Sequence, residues 1–399
     1  MALFVIGWYN YTDTQTRFIH YLQVYFMTKQ TAYTPKLPIA LKKVFLAIRR
    51  VLATYWRGSL FHKIVVCLTA LFMLCLGGMY GIAQWYIASQ NDKPLVIGTS
   101  FIPAYAESLG VNPQETMDAL IHDLHIRHFR LVSYWNQLEP TEGEYDFSQL
   151  DWQFQKAEAS GSKITLSVGL RQPRWPECHM PDWAAAQPVG QWEPKLKVFM
   201  TKVVERYKTS PALDSYQLEN EFFLKGFGTC KNWDRDRLVS EYQLIKKLDS
   251  EHKVIISRSN NALGWPVGDP QPDEFGISIY KRVWDAQLTH RYLEYPFPGW
   301  YYAFVAGWQK IMTGRDMIIH ELQAESWGPR GQFIGDISVT EGNKSFDAQR
   351  FRDRIEFGKA TGMREIYLWG GEYWYFRKVV QHDPSLWQVA ETIYAEPSR

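Results

Sequence analysis

Two segments of the sequence indicate the fold of this chain: Leu213-Asp-Ser-Tyr-Gln-Leu-Glu-Asn-Glu221 and Asp316-Met-Ile-Ile-His-Glu321. Each has the length and apolar content of a short buried strand, and each ends in carboxylates. The two terminal glutamates lie 100 positions apart. In a barrel of parallel strands, side chains at the carboxyl ends of different strands converge on one face. The sequence therefore predicts that Glu221 and Glu321 meet at one mouth.

Short apolar segments alternate with amphipathic ones from residue 94 onward, which is typical of a parallel sheet with crossover helices. Eight strands are predicted, at Leu95–Phe101, His128–Trp135, Lys163–Leu170, Leu213–Glu221, Lys253–Ser259, Gly276–Lys281, Asp316–Gln323 and Glu365–Gly370. Helices are predicted at Pro113–Leu124, Phe147–Ser160, Glu193–Thr209, Arg235–Ser250, Gly299–Thr313, Ser345–Thr361 and Pro384–Tyr394, with Asn260–Glu274 mostly loop. Eight strands in about 300 residues fit a (β/α)8 TIM barrel, an α/β fold. A doubly wound open sheet is the alternative, but no glycine-rich phosphate loop follows the first strand.

The N-terminal part differs from the rest in charge and hydropathy. Residues 1–63 hold nine Lys or Arg and one acid, a net charge of +8, which leaves −6 for the remainder of a chain whose total is +2. Residues 64–87 then contain 24 residues without a charge, long enough to cross a bilayer as a helix. Trp85 and Tyr86 stand where an interfacial aromatic belt would lie. A buried core helix and a cleaved signal peptide are the alternatives, and the distance from Met1 disfavours the second.

The basic excess before the span predicts a cytoplasmic N-terminus by the positive-inside rule. We expect a cytoplasmic basic segment at 1–62, a single transmembrane signal-anchor helix at 63–88 and an extracytoplasmic barrel domain at 89–399. Residues 39–55 mix apolar and basic side chains at helical spacing, which predicts an interfacial helix on the inner leaflet. The expected partner is therefore a lipid bilayer, through residues 64–87, and not nucleic acid. The role of residues 1–35 and the oligomeric state stay open.

Cysteine positions agree with an oxidising compartment for the barrel. Cys178 and Cys230 each fall in a loop just after a predicted strand, and we expect them to form a disulfide; two unpaired thiols are the alternative. No cluster of His and Cys has the spacing of metal ligands, so no metal site and no cofactor are predicted.

Polar and aromatic residues collect at the predicted strand ends. The chain holds 17 Trp, 23 Tyr and 22 Phe, which either pack in the core or line a groove of flat apolar faces that would suit sugar rings. Glu219 competes with Glu221, because both would point the same way on an ideal strand. Glu325 competes with Glu321 but falls beyond the predicted strand. In strand order the candidate site residues are Arg130, Trp135, His179, Asn220, Glu221, Tyr280, Glu321 and Trp369.

This ordered set resembles the clan A glycoside hydrolases, retaining (β/α)8 enzymes that include family 5 cellulases and family 42 β-galactosidases. Their pattern is an Asn-Glu pair at the end of strand four and a Glu at the end of strand seven, which matches Asn220-Glu221 and Glu321. The stretch Trp135-Asn-Gln-Leu-Glu-Pro-Thr-Glu-Gly-Glu-Tyr-Asp-Phe147 also resembles the segment that follows strand two in these enzymes. The resemblance covers roughly residues 94–395. The residues after Glu321 do not point to one family.

The resemblance implies a role for each candidate. Glu221 would be the acid/base and Glu321 the nucleophile. The remaining six would bind substrate or support the nucleophile: Arg130 and Tyr280 beside Glu321, Asn220 on the 2-hydroxyl of the reacting sugar, Trp369 under its ring, and Trp135 and His179 nearby. Each of these also has a purely structural alternative, as an ion-pair partner, a packing residue or a loop residue.

The predicted function is a membrane-anchored, extracytoplasmic retaining glycoside hydrolase that cleaves β-glycosidic bonds of an oligo- or polysaccharide by double displacement. A transglycosylase would use the same two glutamates. A non-catalytic glycan-binding barrel on the cell surface would lack one of the carboxylates, and an envelope scaffold would lack the crowded polar rim. The sugar, the linkage and the choice between internal and terminal cleavage stay open.

Overall fold

The computed structural model of the chain describes residues 59–230, 232–259 and 268–395, with the single positions 46, 50, 53, 54 and 56. The chain divides into two units, Met1–Cys75 and Leu76–Arg399. Most of the predicted interfacial helix at 39–55, the segment 1–35 and residues 260–267 of the predicted loop at 260–274 lie outside the described residues.

Eight parallel strands close into a barrel in which each strand neighbours the next along the chain and the last pairs with the first. The predicted (β/α)8 fold is confirmed, with all eight strands found. Two further short strands form a separate antiparallel hairpin. The barrel strands are β1 (Val96–Ser100), β2 (His128–Val132), β3 (Lys163–Val168), β4 (Leu213–Leu218), β5 (Lys253–Ser259), β6 (Glu274–Ile279), β9 (Met317–Gln323) and β10 (Glu365–Trp369), and the hairpin strands are β7 (Arg282–Trp284) and β8 (Tyr292–Glu294).

Helices surround the barrel and fill the loops between its strands. The seven predicted barrel helices are present, and most of their boundaries move by only a few residues. Helices that sequence reasoning missed are mostly one or two turns long and sit in loops. In chain order the helices are α1 (Leu60–Gln90), α2 (Pro103–Ser108), α3 (Pro113–His122), α4 (Trp135–Leu138), α5 (Ser148–Ser160), α6 (Asp182–Ala185), α7 (Val189–Tyr207), α8 (Arg235–Leu248), α9 (Gly299–Thr313), α10 (Val339–Gly342), α11 (Ala348–Lys359), α12 (Gly371–Val379) and α13 (Ser385–Ala395).

The inside of the barrel is mostly polar apart from a small cluster of Ile255, Ile318 and Tyr367, whereas the layer between strands and helices is apolar. On β3, Ile164 and Leu166 are buried in the apolar core, and the residue between them, Thr165, shares hydrogen bonds with Ser215 Oγ at 2.8 Å and with Tyr367 OH at 2.9 Å. This alternation follows from the two-residue period of a strand. The polar interior continues toward the carboxyl ends of the strands, where the candidate site residues lie.

The second half of α1 packs on the barrel. Ala83 and Tyr86 are fully buried, and the Tyr86 hydroxyl donates to the Met317 carbonyl at 3.3 Å. A side chain on Gly307 of α9 would come within 3.0 Å of Ile82 and Tyr86, so the two helices are in close contact. Tyr86 was predicted to lie in a membrane interface, and that prediction is wrong, because its hydroxyl satisfies a backbone carbonyl at the start of β9.

The first half of α1 exposes large apolar side chains, among them Leu60, Phe61, Leu68, Phe72 and Leu74. The whole helix has 31 residues and is long and apolar enough to cross a membrane, by length and composition. A core helix or a signal sequence meets the same test, so the structure does not establish that the chain crosses a membrane.

Candidate active site

The carboxyl ends of the barrel strands surround a pocket of about 400 Å³. Five of the predicted site residues line it: Asn220, Glu221, Tyr280, Glu321 and Trp369. Several residues that were not predicted as site residues also line it, among them Arg174, Trp175, Glu177, Phe227, Glu325 and Trp327. The predicted convergence of Glu221 and Glu321 at one mouth is therefore present in the structure.

Arg130 is a buried cation that links three strands next to the pocket. Its side chain, on β2, donates to Glu321 Oε1 at 2.7 Å and to Asn220 Oδ1 at 3.0 Å. Its Nε donates to Gln217 Oε1 at 2.5 Å, and Gln217 Nε2 in turn donates to Asn220 Oδ1 at 3.0 Å. Because guanidinium donors have a fixed planar geometry, Arg130 sets the relative positions of the carboxylate and the amide.

Glu321 sits near the end of β9 with two donors on its carboxylate. Arg130 donates to Oε1, and the Tyr280 hydroxyl donates to Oε2 at 2.6 Å. Burial and the charge of Glu321 hold the pKa of Tyr280 well above its usual range, so the phenol keeps its proton and remains a donor. An ion pair and a phenol hydrogen bond both stabilise the negative charge of a carboxylate.

Glu221 lies just beyond β4 in different surroundings. Its backbone has a positive φ of 44° and its N–H donates to Ser257 Oγ at 3.0 Å, which turns the side chain into the pocket. Burial, the negative charge of Glu321 and that of Glu177 raise the pKa of Glu221 to about 8. Glu221 therefore carries a proton at neutral pH while Glu321 is paired with a guanidinium.

Glu219 takes no part in the pocket. Strand β4 ends at Leu218, and Glu219 follows with a positive φ of 52°. Its fully buried carboxylate accepts hydrogen bonds from the backbone N–H groups of Leu170 at 2.6 Å and Arg171 at 3.0 Å, and forms an ion pair with Arg237 at 2.8 Å. The competition between Glu219 and Glu221 arose from treating both as strand residues, whereas the chain leaves the strand before either.

Glu325 forms an ion pair with Arg174, and both residues line the pocket. It accepts from Trp369 Nε1 at 2.8 Å and from the Tyr105 hydroxyl at 2.9 Å, and it pairs with Arg174 at 3.2 Å. The Arg174 guanidinium lies 3.2 Å from the centroid of the Tyr105 ring and 4.4 Å from that of Trp369. One face of Trp369 is thus occupied by a cation, which leaves only the rest of the indole for a sugar ring.

Two predicted site residues lie away from the pocket. Trp135 is fully buried, donates from Nε1 to Glu139 at 2.7 Å and packs on Trp183 and Phe199, so its prediction as a substrate-binding residue is wrong. The reason is that β2 ends at Val132 and Trp135 already begins α4.

His179 is stacked on the ring of Tyr134 with centroids 3.5 Å apart, and its Nε2 lies 3.2 Å from the Arg174 carbonyl oxygen. Burial lowers the pKa of His179 to about 4, so the ring is neutral. It supports the loop that carries Arg174 and does not line the pocket. Its predicted substrate contact is likewise corrected.

Glu177 is one of the pocket residues that sequence reasoning did not predict as site residues. It lies in the loop after β3, with a positive φ of 71°, and its carboxylate accepts a hydrogen bond from Asn220 Nδ2 at 3.0 Å. Burial raises the pKa of Glu177 to about 7, against the lowering effect of Arg171. Irregular loops carry no periodic pattern, so the sequence offered no signal beyond the closeness of Glu177 to a strand end.

A disulfide joins the loop of Glu177 to the loop that follows β4. Cys178 and Cys230 are bonded, across a sequence separation of 52. Arg171 lies between the two loops and donates to the carbonyl oxygens of Asn220 at 2.5 Å and Phe227 at 2.7 Å. The pocket wall on the Glu221 side is therefore fixed by one covalent link and one buried cation.

The comparisons with known proteins agree with this architecture. The sequence model of a glycoside hydrolase family 42, described as β-galactosidase, matches residues 112–259, a range that includes Arg130, Asn220 and Glu221 and ends before Glu321. No curated protein sequence matches the chain.

Solved structures share the barrel at low sequence identity. Xylanase 10C of Cellvibrio japonicus, solved with xylopentaose, has a TM-score of 0.50 at 13% identity over 77% of this chain and 68% of its own. The β-galactosidase of the haloarchaeon Halorubrum lacusprofundi gives 0.47 at 13% over 69% of this chain, which spans only 52% of that protein. A family 10 endo-β-1,4-xylanase of Gloeophyllum trabeum gives 0.47 at 15% over 70% and 85%. The likeness to xylanase 10C is evidence of the fold alone, and the two structures with a TM-score of 0.47 carry no argument.

The match to the family model is a likeness in sequence, in addition to the likeness in fold. It lies across β2 to β5, the part of the barrel that carries the Asn-Glu pair. Residues 112–259 thus match a glycoside hydrolase family model, and the chain as a whole resembles the clan A (β/α)8 glycosidases.

Proposed function

We propose that the chain is a retaining β-glycosidase in which Glu321 is the nucleophile and Glu221 the acid/base. The observation that carries the proposal is the contrast between the two carboxyl groups in one pocket. Glu321 accepts hydrogen bonds from Arg130 and Tyr280, whereas burial and neighbouring charge raise the pKa of Glu221 to about 8. A retaining mechanism needs one ionised and one protonated carboxyl at the same pH.

In the first step, a carboxylate oxygen of Glu321 forms a bond to the anomeric carbon of the sugar. The bond from that carbon to the leaving oxygen breaks, and the proton of Glu221 passes to the leaving oxygen. The developing positive charge on the sugar is next to Glu321, which neutralises it. Because Arg130 and Tyr280 hold Glu321 from two sides, its attacking oxygen is positioned before the substrate arrives.

In the second step, the ionised Glu221 takes a proton from water, and the water oxygen attacks the anomeric carbon. The bond to Glu321 breaks and the carboxylate is released. Two inversions at one carbon leave a product with the β configuration of the substrate. A sugar hydroxyl that replaced the water would give transglycosylation by the same groups, and only product analysis separates the two.

The remaining pocket residues would bind the substrate. Asn220 shares the Arg130 guanidinium with Glu321, and we expect its side chain to bind the 2-hydroxyl of the reacting sugar. Trp369 would contact the ring with the part of the indole that Arg174 does not cover. Trp175 and Phe227 are exposed aromatic residues that line the same pocket, with ring centroids 6.1 Å apart, and flat apolar faces of this kind would suit the sugar that leaves.

We also propose that α1 anchors the protein in a membrane, with the barrel outside the cytoplasm. The support is the apolar composition of α1, the +8 net charge of residues 1–63 and the disulfide in the barrel. Protease added to spheroplasts of an expressing bacterium should then digest the barrel. Protection of the barrel until the membrane is permeabilised would reverse the proposed orientation.

The catalytic proposal is tested with the full chain in detergent and a panel of aryl β-glycosides and β-glucan, β-mannan, β-galactan and β-xylan oligosaccharides. Glu221→Gln and Glu321→Gln should each lose at least about 1,000-fold in turnover on substrates with ordinary leaving groups, because each removes a group that acts in the reaction. Glu356→Gln on the outer face of α11 makes the same chemical change far from the pocket and should leave turnover unchanged. Near-normal turnover by either pocket variant would overturn the assignment.

A further inference from the structure

Helix α9 has an apolar surface on the outside of the barrel. Its exposed residues are Trp308, Ile311 and Met312, which are 39%, 48% and 55% exposed. They are spaced three and four residues apart and therefore share one side of the helix. The Trp308 ring lies 6.3 Å from the ring of the half-buried Phe304, which extends the apolar surface by one turn. These four residues are called the α9 face below.

The α9 face differs from the outer surfaces of other barrel helices. Lys310 is the single charged residue of α9, and it forms an ion pair with Asp316 at 2.7 Å. The exposed residues of α8 are charged or polar, and so are those of α11, which are Gln349, Arg352, Asp353 and Glu356. A contiguous apolar surface on the outside of a domain marks a site of contact with a protein or a membrane.

The second half of α1, which carries no charged residue, lies beside α9. The rings of Tyr80 and Trp300 are 5.8 Å apart. Gly307 is so close to α1 that a side chain at this position would come within 3.0 Å of Ile82. On the same half of α1, Trp85 is 38% exposed. The α9 face and Trp85 therefore belong to two helices that are packed against each other.

A lipid bilayer is the partner that fits this surface best. Residues 64–87 form the uncharged run that we propose to cross the membrane, and the part of this run that contacts α9 includes Ile82. The α9 face thus adjoins the segment by which the chain would enter the bilayer. Tryptophan beside aliphatic side chains is typical of the layer between lipid headgroups and acyl chains, and Trp308 with Ile311 and Met312 has this composition.

We propose that the α9 face lies in the interfacial layer of the bilayer, so that the barrel contacts the membrane through α9 as well as through α1. Lipid would then cover apolar side chains that water would otherwise surround. This inference rests on the proposed membrane anchor and goes beyond it, because an anchor alone would leave α9 in water. Contact through two helices would also hold the pocket at a fixed distance from the bilayer.

The test measures whether lipid reaches the α9 face in the full chain. In a background of Cys67→Ser and Cys75→Ser, an NBD fluorophore is attached at Ile311→Cys or at the control Val198→Cys, which replaces an exposed apolar residue of α7. Each protein is reconstituted into vesicles of phosphatidylethanolamine and phosphatidylglycerol, with or without lipids that carry a nitroxide on the acyl chain. Nitroxide lipids should quench the label at Ile311→Cys and leave the label at Val198→Cys unquenched.

Charged substitutions next to the label give a second readout. Trp308→Asp together with Met312→Asp should abolish the quenching at Ile311→Cys, because carboxylates are expelled from the apolar layer. Both side chains are exposed, so the melting temperature of the chain in detergent should stay the same. Quenching that persists in this variant would contradict contact between the α9 face and lipid.

A third label separates the failure of this inference from that of the anchor. Cys75, labelled in the Cys67→Ser variant, lies in the run that we propose to cross the bilayer and should be quenched by nitroxide lipids. An unquenched label at Cys75 would overturn the anchor and this inference with it. A quenched label at Cys75 with an unquenched one at Ile311→Cys would overturn this inference alone. If Ile311→Cys instead formed a disulfide between two chains, the α9 face would belong to a dimer interface and the inference would also be overturned.

Discussion

Glu219 and Glu221 are separated by one residue, and their surroundings are opposite in kind. Glu219 is held by two backbone N–H groups and Arg237, whereas Glu221 has a side-chain oxygen, Oε1, that finds no hydrogen-bond partner within the described part of the chain. A fully satisfied buried carboxylate stabilises a fold, and an unsatisfied one costs stability until it takes up a proton. Stability measurements can therefore tell the structural glutamate from the reactive one without any substrate.

Replacing each of these glutamates by Gln should move stability in opposite directions. Glu219→Gln leaves Arg237 with less compensation and should cost about 3–5 kcal/mol in the free energy of unfolding. The pKa of Glu221 is higher in the folded chain than in the unfolded one, so folding at neutral pH holds a proton that the unfolded chain would release. Glu221→Gln removes this cost and should stabilise by up to about 3 kcal/mol at pH 7. Urea unfolding of both variants is the measurement, and a destabilised Glu221→Gln would contradict the assignment.

The raised pKa of Glu221 also predicts the shape of the pH–rate profile. kcat/KM should fall about tenfold per pH unit above roughly pH 8, because the free enzyme loses the proton that the leaving group needs. An aryl glycoside whose phenol leaves without protonation, such as a dinitrophenyl glycoside, should show a much weaker fall. The same alkaline limb for both leaving groups would assign the titration to another group.

At the scale of elements, the barrel strands were predictable and the loops above them were not. Each barrel strand is a short segment rich in apolar residues that lies between amphipathic helices, a pattern that the sequence displays directly. The sequence pattern does not show at which residue a strand ends. β2 ends at Val132 and β4 at Leu218, each three residues before the predicted end, and this difference separates Trp135 from the pocket and Glu219 from Glu221. Glu177 and Arg174 owe their positions to left-handed loop backbone, which no periodicity reveals.

The disulfide between the β3 and β4 loops should be worth about 4 kcal/mol of stability by the entropy of a loop of 52 residues. The Cys178→Ser, Cys230→Ser double variant should therefore unfold at lower denaturant and, because both loops carry pocket residues, lose turnover. The matched control is the Cys67→Ser, Cys75→Ser double variant, which removes two exposed free cysteines of α1. Equal effects of the two double variants would show that the barrel disulfide has no structural role.

The second half of helix α1 is expected to contribute to the stability of the barrel. Leu76–Gln90 belongs to the same unit as the barrel, and Ala83 and Tyr86 are buried there. A fragment that begins at Asn91 exposes the surfaces that these residues cover, and it should be less stable by roughly 3–5 kcal/mol than one that begins at Leu76. Thermal unfolding of the two fragments is the check. Equal melting temperatures would mean that the second half of α1 adds nothing to the barrel.

The whole molecule combines a closed eight-stranded barrel, a pocket at the carboxyl ends of its strands and two glutamates with different environments. Arg130 and Gln217, on β2 and β4, connect these parts, since they hold both Glu321 and the amide beside Glu221. The fold and the two glutamates followed from the sequence. The hydrogen-bond network that distinguishes the two carboxyl groups could not be predicted from the sequence, because its members lie on separate strands and loops.

The measurement that tests the central claim most directly is covalent trapping. The full chain is incubated with a 2-deoxy-2-fluoro β-glycoside that carries an activated leaving group and the sugar that the chain turns over, and the labelled peptide is identified by mass spectrometry. Fluorine at C2 slows both steps, and the good leaving group restores only the first, so a glycosyl–enzyme intermediate accumulates. We expect a single label, on Glu321. A label on another carboxylate, such as Glu221 or Glu325, or steady turnover with no adduct and an inverted product, would contradict it.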